Sequence, residues 1–160
     1  MATIDRLWAP WRTAFLYRRT KSKRCIFCTA KRTRSQDRVH QVVARGAYAF
    51  TLLNRYPYNN GHVMIAPYRH VGTLERLTPK EWAEMLRLSR QVMRKLARAL
   101  GPQGWNLGLN LGRTAGAGIP GHLHLHIVPQ WNGDTNFFPI LAHTKLISQS
   151  LDELYTLLTH

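Results

Sequence analysis

The segment His122-Leu123-His124-Leu125-His126-Ile127-Val128 alternates imidazole with aliphatic side chains. Side chains of a β-strand point to opposite faces with period two. The segment therefore reads as a strand with three imidazoles on one face and Leu123, Leu125 and Ile127 on the core face. Consecutive same-face positions stand about 6.6–6.8 Å apart, which suits a row of separate roles better than convergence on one ion. A three-histidine metal site is the rival reading, because imidazole is the commonest protein metal ligand. The plainest reading, a solvated face that tolerates histidine, is weakened by composition: three of the eight histidines occupy alternate positions beside a glycine-rich bend.

Working outward, Gly112 to Gly121 forms that bend, and Trp105 to Leu111 before it alternates like a second strand. Further upstream a long helix is punctuated at both ends. Thr78 and Glu81 form a capping box, Pro79 suits the first turn and Gly101-Pro102 stops it. Trp82, Met85, Leu86, Ser89, Met93, Leu96 and Leu100 follow helical spacing along its core face. Before the helix, Tyr48 to Leu53 and His62 to Ala66 read as a hairpin turning at Asn59-Asn60-Gly61. A second capping box, Ser150 with Glu153, opens a short C-terminal helix. Strands grouped around one long helix predict an α+β fold with an antiparallel sheet.

The chain has 160 residues, 44% of them apolar, and Lys plus Arg exceed Asp plus Glu by 23 − 8 = 15 charges. One domain with a real core is expected, and cationic substrates are disfavoured against polyanions. Twelve of the 23 cations precede position 46. Residues 1–45 therefore read as a basic N-terminal arm, packed on a main domain at 46–160. Its Arg18–Arg38 stretch is too polar for core and offers an electrostatic footprint for nucleic acid. No apolar run approaches the roughly 20 residues of a spanning helix, and the N-terminus lacks the order of a secretion signal. A cytoplasmic protein with no membrane role is expected. Cys25 and Cys28 cannot build a disulfide framework. Alone they fit half a zinc site, a redox pair or a structural CxxC.

Residues 47–140 resemble the histidine-triad (HIT) family of nucleotide hydrolases and transferases. The resemblance rests on Leu53-Asn54-Arg55-Tyr56-Pro57, Gly61 to Pro67, Arg69-His70 and the run from Ala115 to Pro129. Leu7 to Arg12 and Trp131 to Phe137 are similar to the branch that acts on diadenosine tetraphosphate. The resemblance implies a HIT-like antiparallel sheet, a homodimer and covalent catalysis at an α-phosphate. Its substrate would be an adenine nucleotide or dinucleoside polyphosphate, cleaved by phosphorolysis or hydrolysis. A nucleoside phosphoramidase of the same fold is the alternative enzyme. A nucleic-acid-binding module using the basic arm is the alternative outside enzymes.

By the same resemblance His124 is the nucleophile and His126 contacts phosphate. Asn110 is a second phosphate contact, Asn54 holds ribose hydroxyls, His62 is a further site residue and Trp131 stacks on adenine. The competing role for both asparagines is service to the backbone, and for Trp131 closure of the core edge. The bend is one residue longer than the common family spacing and lacks the usual Gln or Ser. Backbone N–H groups of Gly118 or Ile119 are expected to take its place. Relatives with zinc also imply a structural Zn2+ on Cys25, Cys28, His70 and His122, four N and S ligands closing a tetrahedron.

Overall fold

The computed structural model describes residues 25–31, 33–134, 147 and 149–160. The Leu7–Arg12 segment, the Arg18–Arg24 part of the basic arm and the Thr135-Asn136-Phe137 part of the tail lie outside these residues. Short helices α1 (Ile26–Ala30) and α2 (Asp37–His40) precede strands β1 (Val42–Arg45), β2 (Ala49–Leu53) and β3 (Val63–Pro67). Helix α3 (Pro79–Leu100), strands β4 (Gly104–Leu109) and β5 (Leu125–Gln130), and helix α4 (Leu151–Thr159) follow. The five strands form one antiparallel sheet in the order β1-β2-β3-β5-β4. The expected α+β architecture is what folds. Among the described residues no helix is long and apolar enough to cross a membrane.

Each hairpin arises from local chemistry. Strands β2 and β3 pair from Ala49↔Pro67 to Leu53↔Val63, joined through Gly61 at φ +74°. A Cβ there would also strike Leu100 and Pro129, each 2.9 Å away, so the turn needs glycine for conformation and for space. Thr78 and Glu81 make both bonds of the capping box on α3, and Ser150 and Glu153 do the same on α4.

Alternation divides the sheet into two buried faces. Ala49, Leu53, Val63, Ile65, Leu125 and Ile127 pack against Met85, Leu88, Val92 and Leu96 of α3 and Leu154 and Leu158 of α4. The opposite face carries Phe50, Leu52, Met64 and Ala66, which cluster with Phe27 and Ala30 of α1.

Four readings change. Leu86 is 44% exposed, whereas Leu88 and Val92 are buried on α3; the core stripe runs one position round from the expected line. The histidine strand begins at Leu125, so His122 and His124 lie in extended chain leading into it. A first strand, β1, precedes the expected hairpin. Finally, the Cys25–Ala30 segment is not merely polar surface: Phe27 is wholly buried.

Candidate functional site

The central position of β5 buries the histidine row. It pairs with β3 on one side, Met64 opposite His126, and with β4 on the other. Leu123 N–H donates to Val71 O at 2.6 Å, holding the chain that leads into the strand. His122, His124 and His126 are 0%, 7% and 8% exposed, and they lie on the Phe27 face of the sheet. The Phe27 ring centroid stands 5.0 Å from that of His122 and 4.7 Å from that of His124. One apolar residue between two cysteines thus covers two of the three imidazoles.

At the upstream end the row meets the cysteine pair. One ligand atom from each of Cys25, Cys28, His70 and His122 lies within 4.8 Å of all the others. Cys25 Sγ is 3.3 Å from His122 Nδ1, Cys28 Sγ is 3.3 Å from His70 Nδ1, and the two Nδ1 atoms are 3.2 Å apart. A tetrahedron with Zn–S and Zn–N bonds of ordinary length sets its donors about 3.3–3.8 Å apart, so the four residues fit one metal ion. His122 Nε2 donates to Pro67 O at 2.9 Å, which leaves the Nδ1 lone pair for the cluster, as an outer partner of a metal-bound histidine does. The donors thus come from α1 and its approach, the end of β3 and the approach to β5.

The middle of the row offers a nucleophile. His124 Nδ1 donates to His122 O at 2.8 Å, so its Nε2 carries a free lone pair. Burial lowers the basicity of His124, opposed by that same carbonyl, and the ring is neutral at neutral pH. His122 therefore serves twice: its ring belongs to the Cys25, Cys28 and His70 cluster and its carbonyl sets the tautomer of His124.

Downstream, hydrogen bonds run in one direction. The Tyr58 backbone N–H donates to His62 Nδ1 at 3.0 Å. His62 Nε2 must then carry a proton, and it donates to His126 Nδ1 at 2.9 Å. His126 Nε2 is in turn an N–H donor, buried and without a hydrogen-bond partner among the described residues. Burial, reinforced by the neighbouring imidazoles, pushes His62 down to about 3 and His126 to about 4. The Tyr58 ring lies over both, 4.6 Å from the His62 centroid and 5.7 Å from that of His126. A neutral nucleophile beside a fixed N–H donor is suited to attack on phosphorus, where charge develops on the oxygens around the reacting centre.

The remaining candidates divide. The Asn54 amide nitrogen stands 3.2 Å from His62 Nδ1, and its Oδ1 accepts from Tyr56 N–H at 2.9 Å. Asn110 is half-buried against the bend, its Nδ2 3.7 Å from where a Cβ on Gly116 would lie. The amides of Gly118 and Ile119 have no hydrogen-bond partner among the described residues, whereas those of Gly116 and Ala117 close turns. The Trp131 indole N–H donates to Leu100 O at 3.1 Å, at the end of α3.

Two supports escaped the sequence reading. Arg69 makes a two-pronged pair with Glu81, at 2.7 and 2.6 Å, holding the chain beside His70. The guanidinium and the capping bonds keep the Glu81 carboxyl down at about 2. Arg45 grips Asp37 and the carbonyls of Ala30 and Lys31, fastening α1 to β1. Glu81 was legible as a cap, but nothing in its spacing revealed its second partner.

Comparison with known proteins converges on one group. The family described as the HIT domain matches residues 36–133. AP-4-A phosphorylase of Mycobacterium tuberculosis is 40% identical over 162 residues, covering 97% of this chain and 83% of that protein. Adenosine 5'-monophosphoramidase hnt1 of Schizosaccharomyces pombe is 30% identical over 68% of this chain and 75% of its own. Among solved structures, a zinc-bound histidine triad family protein from Mycobacterium smegmatis superposes with a TM-score of 0.65. It is 23% identical and covers 87% of this chain and 93% of that one.

Proposed function

The chain belongs to the histidine-triad (HIT) family, and from that premise we propose that it is an enzyme cleaving dinucleoside polyphosphates, such as diadenosine tetraphosphate, at an α-phosphate. The observation that carries the reading is the bond from His124 Nδ1 to His122 O, which leaves Nε2 as the attacking atom. A P–N bond forms as the P–O bond to the departing nucleoside polyphosphate breaks, giving a nucleotidyl-histidine. Inorganic phosphate or water then attacks the same phosphorus, the P–N bond breaks and neutral His124 returns. The His126 Nε2–H and the amides of Gly118 and Ile119 face the charge that develops on the phosphoryl oxygens. Asn110 adds a polar contact at the bend, and Asn54 a ribose contact beside His62. The excess of 15 positive charges attracts a substrate of this kind. For Trp131 the bond to Leu100 supports closure of the core edge over stacking on adenine.

Cys25, Cys28, His70 and His122 would hold a structural Zn2+, whose filled N and S coordination ties α1 to the chain leading into β5. The donor spacings support this, and replacing Cys25 with Ser is expected to remove the bound zinc; full zinc content in that variant refutes the assignment. A cytoplasmic location goes with two free cysteines, which persist as thiolate ligands in reducing surroundings. A homodimer completes the reading, since β4 is a sheet edge with Leu107 exposed on it and Leu111 exposed just beyond. Unpaired edges of this kind invite a second strand.

The test is incubation with diadenosine tetraphosphate, with and without phosphate, beside a His124→Ala variant. ADP plus ATP formed only with phosphate identifies a phosphorylase; AMP plus ATP without it identifies a hydrolase. No turnover, or turnover that survives in the variant, overturns the reading. Cleavage of adenosine phosphoramidate alone would assign the P–N-cleaving activity for which the fission-yeast relative is named.

A further inference from the structure

The outer face of α3 carries charge that the histidine site does not use. Lys80, Arg87, Arg90, Arg94 and Arg98 are all exposed, and at 3.6 residues per turn they fall within an arc of about 80°. That arc lies opposite the buried line of Met85, Val92 and Leu96. Because α3 covers the sheet face away from the histidines, the row looks outward from the far side of the molecule. At 1.5 Å per residue it is about 27 Å long.

The two acids of the helix leave most of it unpaired. Glu81 is buried in its cap and paired with Arg69. Glu84 accepts from the backbone N–H groups of Tyr48 and Ala49, and reaches only Arg87, at 3.2 Å. Among the described residues Arg90, Arg94 and Arg98 have no carboxylate partner. Arginines four residues apart repel and disfavour the helix, and a surface needed only for solubility mixes both signs. The row therefore bears a cost that the fold itself does not require.

We propose that this row is a docking surface for the phosphodiester backbone of duplex nucleic acid, bound without regard to sequence. Arginine matches phosphate with paired N–H donors, and a duplex strand offers a phosphate about every 3.4 Å along its axis. Single strands are gripped by stacked aromatic rings as well as charge, and the row has none. An anionic membrane is gripped by apolar insertion beside the charge, and Leu86 is the only large exposed apolar residue of α3.

The experiment is fluorescence anisotropy of a labelled random-sequence 20-base-pair duplex, titrated with the full chain at several salt concentrations. The affinity is expected to fall with salt with a log–log slope of about −3 to −4.5 for the contacts available. Arg90→Gln/Arg94→Gln/Arg98→Gln should flatten the slope by about 2.7 and weaken binding on the order of 10²-fold at 0.1 M salt. Its circular dichroism should match the parent and its thermal melt should be equal or slightly higher, since glutamine is a good helix former and the like-charge repulsion is relieved. Three results overturn the proposal: no salt-dependent binding by the parent; a slope unchanged in the triple variant but lost in Arg34→Gln/Arg38→Gln; or variant-sensitive binding to phosphatidylserine vesicles with none to the duplex.

Discussion

The two faces of the central sheet are buried to a similar degree by opposite means. Toward α3 the contacts are aliphatic: Ile65, Met85, Leu88, Leu96 and Ile127 are each no more than 1% exposed. Toward α1, beside Phe50, Leu52 and Met64, β3 and β5 and the chain leading into them bury four histidines, His62, His122, His124 and His126, which must stay neutral to tolerate removal from water. One face answers to volume alone, the other to volume and to protons. The fold therefore keeps its buried histidines apart from its larger aliphatic core, with a single layer of backbone between them.

Breaking either side alone tests that separation. His124→Ala is expected to lower turnover of diadenosine tetraphosphate by about 10³-fold or more and to leave the melting transition close to that of the parent. Next in size, Leu96→Ala on the opposite face should cost about 2–5 kcal/mol in urea unfolding while the activity of the remaining folded molecules holds. Equal loss of activity and stability in both variants would show that the faces are one unit.

Acid should act on the histidine face. His62 and His126 titrate in the folded chain at about 3 and about 4, against an unfolded value of 6.5. Below 6.5 the unfolded chain takes up protons that the folded chain refuses, so stability falls with pH until the folded values are reached. Each of the two histidines contributes about 1.4 kcal/mol per pH unit in that window. From pH 6.5 to 5 the loss is about 2 kcal/mol per histidine, readable as a falling urea midpoint, and His62→Phe should shallow the slope. A midpoint independent of pH would mean that these rings are charged when buried. The smallest effect belongs to Thr78→Ala, which removes a cap from α3 at about 1 kcal/mol and should leave zinc content unchanged.

Local patterns legible in the chain match the structure closely. Capping boxes, the Gly61 turn and the alternation around His124 involve neighbours in sequence, and each specifies an element within a few residues. The helix stripe runs one position from the expected line because Leu86 and Leu88 are equally apolar, and only packing against the sheet chooses between them. The gathering of Cys25, Cys28, His70 and His122 spans 97 residues at its widest, Cys25 to His122. No spacing rule links those positions; family resemblance supplied them. Nothing signalled Phe27 as the cover of His122 and His124, since its aromatic ring sits in the most basic stretch of the chain. The directed bonds from Tyr58 through His62 to His126 depend on which ring nitrogen meets which partner, and composition carries no trace of that.

His122 contributes its ring to the cluster with Cys25, Cys28 and His70 but only its backbone carbonyl to His124. A carbonyl is common to every amino acid, whereas an imidazole is not. The two contributions are therefore separable: replacing His122 removes one donor from the cluster but leaves a carbonyl in place to accept from His124 Nδ1. A side chain can thus be exchanged at this position while the hydrogen bond that fixes the His124 tautomer, made by the main chain, is kept.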